Sequence, residues 1–350
     1  MTKKHILTLL AILICTFSHA QSDNLKPFKQ WDATAFCIFN VYHPHHFIRA
    51  DNNWEILNAL RNPQTLAELK ANGINCTNSQ LMFLNIGGLI SKANGKWYTT
   101  MPIFDEQKTD TIRKMSRQIA ESILKETETD FLLFLDVIRE NGFERNAFSI
   151  TFSYLLDGQA WKIIMPDKDE LGTHPTWSGA NWVMFSPREQ KVGTNSYGCL
   201  HLTWTDISRI SMPTQTLLSD FAKEYEANQR VTDKQLAAQL SEWGLTDKDG
   251  NIIIPVIDEG ATSKLNNISN RIIGKMNKEM DGSLLQFMQL SNVKNPKVAA
   301  VILYHEMIWD MIDLLQEKGI VTMPTNLKMA SSEKTDLAKI TFLTTNSEQN

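Results

Sequence analysis

The sequence lacks the marks of several common protein classes. After its first twenty residues it has no apolar run long enough to cross a bilayer. It has four cysteines and no CxxC or HExxH motif, so neither a cysteine-rich zinc site nor a zincin active site is indicated. It also lacks a large charge excess, because 35 basic residues stand against 39 acidic ones and the net charge is -4. A mildly acidic chain has no electrostatic reason to seek nucleic acid or anionic lipid.

The first twenty residues have the pattern of a cleavable signal peptide. Lys3 and Lys4 form a basic start, residues 6–17 are apolar, and small residues at Ser18 and Ala20 complete a signal-peptidase site. The apolar run is well short of the roughly 20 residues that a spanning helix needs. We therefore expect export, cleavage near Ala20, and a soluble mature protein that is periplasmic or secreted and has no membrane span.

Three cysteines follow that segment, Cys37, Cys76 and Cys199. An odd number leaves at least one thiol unpaired within the chain. An oxidising compartment favours disulfides, and Cys37 and Cys76 lie in the same part of the sequence. We therefore expect these two cysteines to be bonded to each other.

Residues 50–105 predict three short helices followed by a β-hairpin. Apolar residues recur at helical spacing over 54–60, and capping boxes begin at Thr65 and Thr77. An Asn-Gly turn at 94–95 then divides a segment that is typical of a hairpin. This order of elements resembles the winged-helix fold, which implies a compact helical unit with a two-stranded wing.

A later stretch of the chain repeats the spacing of an earlier one. Residues 88–126 and 244–279 share a glycine before the hairpin, a proline after it, and an Asp-Glu pair ahead of a long helix. The corresponding positions of the two helices are Ile112, Met115, Ser116, Ile119 and Ile123 against Leu265, Ile268, Ser269, Ile272 and Met276. Apolar residues at these offsets define one helix face. We interpret the two stretches as a degenerate internal repeat.

These patterns predict a mainly helical α+β protein with two related lobes. We expect a first winged-helix-like lobe with long helices at 30–165 and a second winged-helix-like lobe at 213–325. A Trp- and Gly-rich middle segment at 166–212, rich in strands and loops, joins them, and residues 326–350 form a C-terminal tail. The expected binding site is a cleft between the lobes.

The helix that would read DNA in such a fold argues against DNA binding. Winged-helix proteins that bind DNA place Arg, Lys, Asn and Gln of this helix in the major groove. Here residues 78–90 contain no Lys or Arg, and their apolar residues at 81–84 and Ile86 suit burial. A DNA-binding regulator is therefore the least favoured function, and we expect no nucleic-acid partner.

The middle segment concentrates tryptophan, glycine and small polar residues, a composition that often lines ligand sites. The candidate ligand-binding residues are Trp177, Asn181, Trp182, Asn195, Tyr197 and Trp204. The alternative is that the tryptophans simply pack in the interior. The leading hypothesis is an exported, non-enzymatic protein that binds a small molecule, a glycan or a protein and needs no cofactor.

Residues 196–202 read Ser-Tyr-Gly-Cys-Leu-His-Leu and resemble the L,D-transpeptidase motif Ser-His-Gly-Cys-Ile-Arg-Leu. The resemblance implies a cysteine-dependent cell-envelope hydrolase or transpeptidase in which Cys199 attacks a peptidoglycan stem peptide. The thiol would need a base or a positive neighbour, for which His201 and His174 are candidates. Tyr197 and His201 depart from the motif, because they replace its histidine and its arginine.

A histidine-rich segment offers a possible metal site. His43, His45 and His46 lie within four residues of one another, and imidazoles are ligands for zinc and copper. Three such close neighbours do not readily converge on one ion without ligands from elsewhere in the chain. A solvated loop without metal is therefore the expectation.

Overall fold

The computed structural model describes residues 25–39, 42–165, 171, 174–260, 263–329 and 336–346. The predicted signal peptide lies outside these residues. The fold is 56% helical with 16% strand, which confirms the expected mainly helical α+β class. The chain divides into two compact units, each formed by three stretches. Unit 1 comprises Met1–Ile112, Pro166–Arg188 and Met288–Val301, and unit 2 comprises Arg113–Met165, Glu189–Phe287 and Ile302–Asn350.

Within residues 50–105, unit 1 contains three short helices followed by a hairpin, in the order expected from the sequence. Its elements are β1 (Asp32–Phe39), α1 (Pro44–Arg49), α2 (Asn53–Ala59), α3 (Leu66–Ala71), α4 (Asn78–Ile86), β2 (Ile90–Ala93), β3 (Lys96–Thr99), the start of α5 (Glu106–Glu140), and β4 (Trp177–Met184). Both predicted capping boxes form, at Thr65 and at Thr77. Asn94 and Gly95 both have positive φ, as a tight hairpin turn between β2 and β3 requires.

The strand β4 forms a two-stranded sheet with β1 in unit 1. It pairs antiparallel with β1, with Asp32 opposite Met184 and Phe39 opposite Trp177. On its other side, Val183 forms a parallel bridge with Ile103. Leucines and aromatic residues of the helices form the core together with Trp177 of β4, and it includes Phe47, Trp54, Leu57, Leu69, Leu81, Leu84 and Trp177.

Unit 2 consists of long helices around one four-stranded sheet. Its elements are most of α5, α6 (Ala147–Ser149, Ile150–Gln159 and Ala160–Ile164), β5 (Val192–Tyr197), β6 (Leu200–Thr205), α7 (Gln215–Asn228), α8 (Lys234–Glu242), β7 (Val256–Asp258), most of α9 (Lys264–Ser291) and of α10 (Pro296–Glu317), α11 (Thr325–Lys328) and β8 (Thr341–Thr345). The middle part of α6, Ile150–Gln159, is a π-helix. Within the described ranges, no helix combines the length and the apolarity that bilayer crossing requires.

The sheet of unit 2 has the strand order β5-β6-β8-β7. The strand β8 runs antiparallel to β6 and parallel to β7, and Leu343 lies opposite both Leu200 and Val256. Residues 326–350 were expected to form a tail, and for β8 this expectation is wrong. Phe342 and Leu343 are completely buried, and the backbone of β8 has a partner strand on each side.

The middle segment at 166–212 does not form a region of its own. Its first strand, β4, pairs within unit 1, whereas β5 and β6 belong to the sheet of unit 2. The expected disulfide is also wrong, because no bond joins Cys37 to Cys76. Cys76 is instead a buried member of the unit 1 core.

The two stretches with matching sequence spacing also have matching local geometry. Gly88 and Gly244, which occupy corresponding positions in the two stretches, both have φ near 70°. Ser116 and Ser269, at corresponding positions of the two long helices, are both completely buried. A segment that pairs in parallel follows the β2–β3 hairpin at Ile103, and β7 pairs in parallel after the antiparallel bridge between Thr246 and Ile252 in the second stretch.

Candidate functional site

Three of the predicted ligand-binding residues lie on β4 and are buried in unit 1. Trp182 is completely inaccessible to solvent, and Trp177 is nearly so. The indole N–H of Trp177 donates a hydrogen bond to the carbonyl oxygen of Gly87 over 2.8 Å. The amide Nδ2 of Asn181 lies 2.8 Å from the sulfur of Met101. These side chains therefore fill the core and do not offer a stacking surface.

The other three predicted ligand-binding residues lie together in unit 2, at the edge strand β5 and its neighbour β6. The indole N–H of Trp204 donates to Oδ1 of Asn195 over 3.1 Å, and Asn195 Nδ2 lies 3.4 Å from the hydroxyl of Tyr197. The Trp204 ring lies against Gly193, where a Cβ would be 2.3 Å from it. The guanidinium of Arg209 is 3.7 Å from the ring centre. Groups of the chain itself thus already contact the indole.

Cys199 lies beside the carboxylate of Glu226. Oε1 of Glu226 accepts a hydrogen bond from the backbone N–H of Cys199 over 3.0 Å. Burial and the negative charge of Glu226 raise the pKa of the thiol to about 12. An attacking cysteine needs its pKa lowered instead, so this environment opposes the thiolate that the transpeptidase resemblance implies.

The two histidines proposed as bases for Cys199 have other contacts. The rings of His174 and Trp177 in unit 1 lie 4.2 Å apart, and burial lowers the pKa of His174. His201 in unit 2 contacts Ser196 Oγ through Nδ1 at 2.9 Å and Thr344 Oγ1 through Nε2 at 3.2 Å. Burial, and to a smaller extent the charge of Lys162, lower the pKa of His201 to about 4. The imidazole of His201 is therefore neutral at neutral pH.

His201 stands at one end of the unit 2 sheet, where other polar groups converge. The carboxylate of Glu259 follows β7 directly, and each of its oxygens is 3.3 Å from the ammonium of Lys162 on α6. Nε2 of Gln159 donates to the same carboxylate over 2.6 Å. We call the group Gln159, Lys162, Ser196, His201 and Glu259 the sheet-end site. The carboxyl ends of the parallel strands β7 and β8 meet at this edge.

A buried hydroxyl lies close to the sheet-end site. Tyr154 on α6 is almost completely buried. Burial first, and then the charges of Glu259 and Asp258, raise its pKa. The π-helix that carries Tyr154 ends at Gln159, a member of the site. Helices of this kind are rare and are frequent at functional sites.

The members of the sheet-end site come from distant parts of the sequence. Sequence analysis named His201 as a base for Cys199 and did not find Lys162 or Gln159. Glu259 appeared only as part of the repeated Asp-Glu pair. The pairing of Glu259 with Lys162, 97 residues earlier, has no local sequence signal.

The histidine-rich segment is a capped helix start and not a loop. Nδ1 of His43 accepts a hydrogen bond from the backbone N–H of His45 and so caps α1. Nε2 of His45 lies 3.2 Å from Oδ1 of Asn181. In the part of the chain that the structure describes, no group of three His, Cys, Asp or Glu side chains could hold a metal ion.

Unit 1 exposes an apolar surface that the sequence interpretation missed. Met82, Phe83 and Ile86 on α4 are 55%, 44% and 50% exposed, whereas Leu81 and Leu84 are completely buried. The expectation that the apolar residues of this helix are buried is therefore right for two of them and wrong for three. The spacing of positions 82, 83 and 86 was the available signal, because it defines a second apolar stripe.

The exposed stripe of α4 continues into a row of aromatic rings. Phe83 lies 4.7 Å from Phe47, and Phe47 lies 5.9 Å from Tyr42, measured between ring centres. Phe39 and Tyr42 are each about half exposed. We call Phe39, Tyr42, Met82, Phe83 and Ile86 the α4 surface.

Comparison of the chain with protein-family models, with curated proteins and with solved structures found no match.

Proposed function

We propose that this protein is an exported, non-enzymatic binding protein whose sheet-end site takes a small zwitterionic ligand, an amino acid or a short peptide. The observation that carries the proposal is the convergence of a cation, an anion and a neutral imidazole at one end of the sheet. Lys162 and Glu259 supply opposite charges side by side, and His201 with Ser196 supplies uncharged donors and acceptors. The predicted signal peptide supports the exported location.

The ion pair of the site can open at little cost. The side chain of Lys162 is 57% exposed and that of Glu259 is 23% exposed. Ion pairs in contact with water contribute only about 0–1 kcal/mol to stability. A ligand ammonium can therefore take the place of Lys162 beside Glu259, while the ligand carboxylate takes the place of Glu259 beside Lys162. This exchange keeps every charge paired.

The uncharged part of the site suits the remainder of such a ligand. His201 remains neutral near pH 7 because of its lowered pKa, so its ring has one N–H donor and one acceptor nitrogen, and these contact the hydroxyls of Ser196 and Thr344. Ser196 is exposed, and its hydroxyl is 2.9 Å from that ring. A peptide amide offers the matching N–H and carbonyl groups.

Isothermal titration calorimetry with amino acids and dipeptides tests the proposal. We expect one of these ligands to bind, and Lys162→Gln and Glu259→Gln each to weaken that binding at least tenfold. Lys318→Gln is the matched control, because it breaks another partly exposed Lys–Glu pair, to Glu128. Binding of no ligand at millimolar concentration, or binding that neither site substitution weakens, would show the proposal to be wrong.

Blocked ligands make the test specific for each charge. N-acetylation removes the ligand ammonium, so it should weaken binding to the wild type and have little effect on Glu259→Gln. Amidation of the ligand carboxylate should weaken binding to the wild type and have little effect on binding to Lys162→Gln. If blocking a ligand group lowered the affinity equally for the wild type and the variants, the assigned contacts would be wrong.

A further inference from the structure

We infer that the α4 surface is the interface of a homodimer, in which a second copy of this chain packs its own α4 surface against the first. The surface is unusual for its exposure: Phe39, Tyr42, Met82, Phe83 and Ile86 are each between 44% and 55% exposed. Contiguous exposed apolar surface on a globular protein marks an interaction site.

Charge favours a second copy as the occupant. Residues 77–90, which include α4, contain no Asp, Glu, Lys, Arg or His, and residues 33–50 contain Arg49 and three histidines but no Asp, Glu or Lys. The whole chain has a net charge of -4, so two copies repel each other weakly over most orientations. They meet without like-charge repulsion where both present this uncharged surface.

The symmetry of the contact also suits α4. A two-fold dimer needs a patch that is complementary to itself, and an apolar stripe without charged groups meets that requirement in an antiparallel helix pair. The Phe83 ring rests on the buried Phe47 at 4.7 Å. A side chain held in place in this way is a ready anchor, because little rotamer freedom remains to be lost on binding.

The area that the α4 surface can bury determines the expected affinity of the dimer. Aromatic side chains bury about 150–250 Å² each, so the three half-exposed aromatic side chains offer about 200–400 Å² per copy, and Met82 and Ile86 add to this area. A standard interface buries about 800 Å² per partner. Uncharged neighbours such as Ser79 and Asn85, both exposed on α4, extend the contact. We therefore expect a reversible dimer that dissociates on dilution.

Sedimentation equilibrium over a wide range of protein concentration tests the inference. The wild-type mass should rise with concentration towards twice the monomer mass. Phe83→Glu should remain monomeric over the same range. Leu285→Glu, which introduces the same charge at an apolar residue of α9 that is 68% exposed, should dimerise like the wild type.

A milder substitution guards against misfolding of Phe83→Glu. Asn85→Lys changes an exposed polar residue of α4, so the fold should persist, and the added like charges should raise the dimer dissociation constant at least tenfold. High salt should partly reverse this change. A wild type that is monomeric at all concentrations would overturn the inference, and so would dimers that neither α4 substitution weakens. A monomer whose α4 surface binds a different protein would overturn it as well.

Discussion

Glu226 of α7 accepts a hydrogen bond from the backbone N–H of Cys199 over 3.0 Å, and its carboxylate adds to burial in raising the pKa of the adjacent thiol to about 12. The one cysteine that a resemblance to L,D-transpeptidases would make a nucleophile is thereby kept protonated.

The first prediction is that Cys199 reacts slowly with iodoacetamide. At pH 8 a thiol with a pKa of about 12 is about a thousandfold less ionised than an ordinary cysteine, so its alkylation should be slower by a similar factor. Glu226→Gln should speed the reaction because it removes the neighbouring charge. Mass spectrometry of the Cys199 peptide measures both rates.

The control for this experiment is Glu224→Gln. Glu224 lies on the same helix but accepts hydrogen bonds from Thr232, so its substitution should leave the alkylation rate of Cys199 unchanged. Rapid alkylation of the wild type at pH 7 would favour the enzyme hypothesis instead.

The second prediction concerns stability below neutral pH. His201 has a pKa of about 4 in the folded protein against a usual value of 6.5. Between these values the unfolded state binds a proton that the folded state does not, so stability falls as pH decreases from 6.5 to 4. The stability lost in this way is at most about 3 kcal/mol. Above pH 6.5 the imidazole is neutral in both states, and none of this stability is lost.

Urea unfolding of the wild type and of His201→Gln over this pH range measures the effect. The difference in free energy of unfolding between the two proteins should change with pH in the stated direction. A difference that stays constant from pH 4 to pH 7 would mean that His201 titrates normally in the folded protein.

The third prediction concerns a buried hydroxyl. Ser116 on α5 donates a hydrogen bond to the carboxylate of Asp310 on α10, and both side chains are buried. Ser116→Ala removes one donor from a buried carboxylate and should lower the free energy of unfolding by about 1–3 kcal/mol. Thr127→Val is the control, because the Thr127 hydroxyl donates to Ile123 O of its own helix. An equal loss of unfolding free energy in both variants would show that the hydrogen bond to Asp310 contributes no more than one within a helix.

The fourth prediction separates backbone strain from packing. Gly88 and Gly73 have similar positive φ values, but a Cβ on Gly88 would lie 2.2 Å from the His174 ring, whereas one on Gly73 would meet nothing within 4 Å. Gly73→Ala should cost about 1 kcal/mol of strain. Gly88→Ala should cost about 1–3 kcal/mol more, because the His174 ring must move. Thermal unfolding of the two variants measures the difference, and equal costs would contradict the packing argument.

Local signals predicted unit 1 well. Thr65 and Thr77 begin α3 and α4 as expected, because a capping box joins groups only three residues apart. Asn94 and Gly95 adopt the positive φ values that their turn requires. This backbone conformation also depends on local residues, because Asn and Gly adopt positive φ most readily. The winged-helix resemblance, the internal repeat and the exported location stay predictions.

Sequence reasoning was weakest where a residue depends on a distant partner. It assigned Trp177 and Trp182 to a ligand site, although the composition of the segment suits a core equally well. The two side chains are buried because β4 pairs with β1 inside unit 1. It treated the end of the chain as a tail, since the apolar residues of β8 are few and its partner strands lie far away in sequence.

The sequence by itself determined where helices begin and hairpins turn, because those outcomes rest on hydrogen bonds and φ angles within a few residues. Only the tertiary structure decided which stripe of α4 is buried, that Lys162 meets Glu259, and that Glu226 keeps the Cys199 thiol protonated. Each of these depends on which surfaces the folded chain brings together, and burial and charge act through space and not along the sequence.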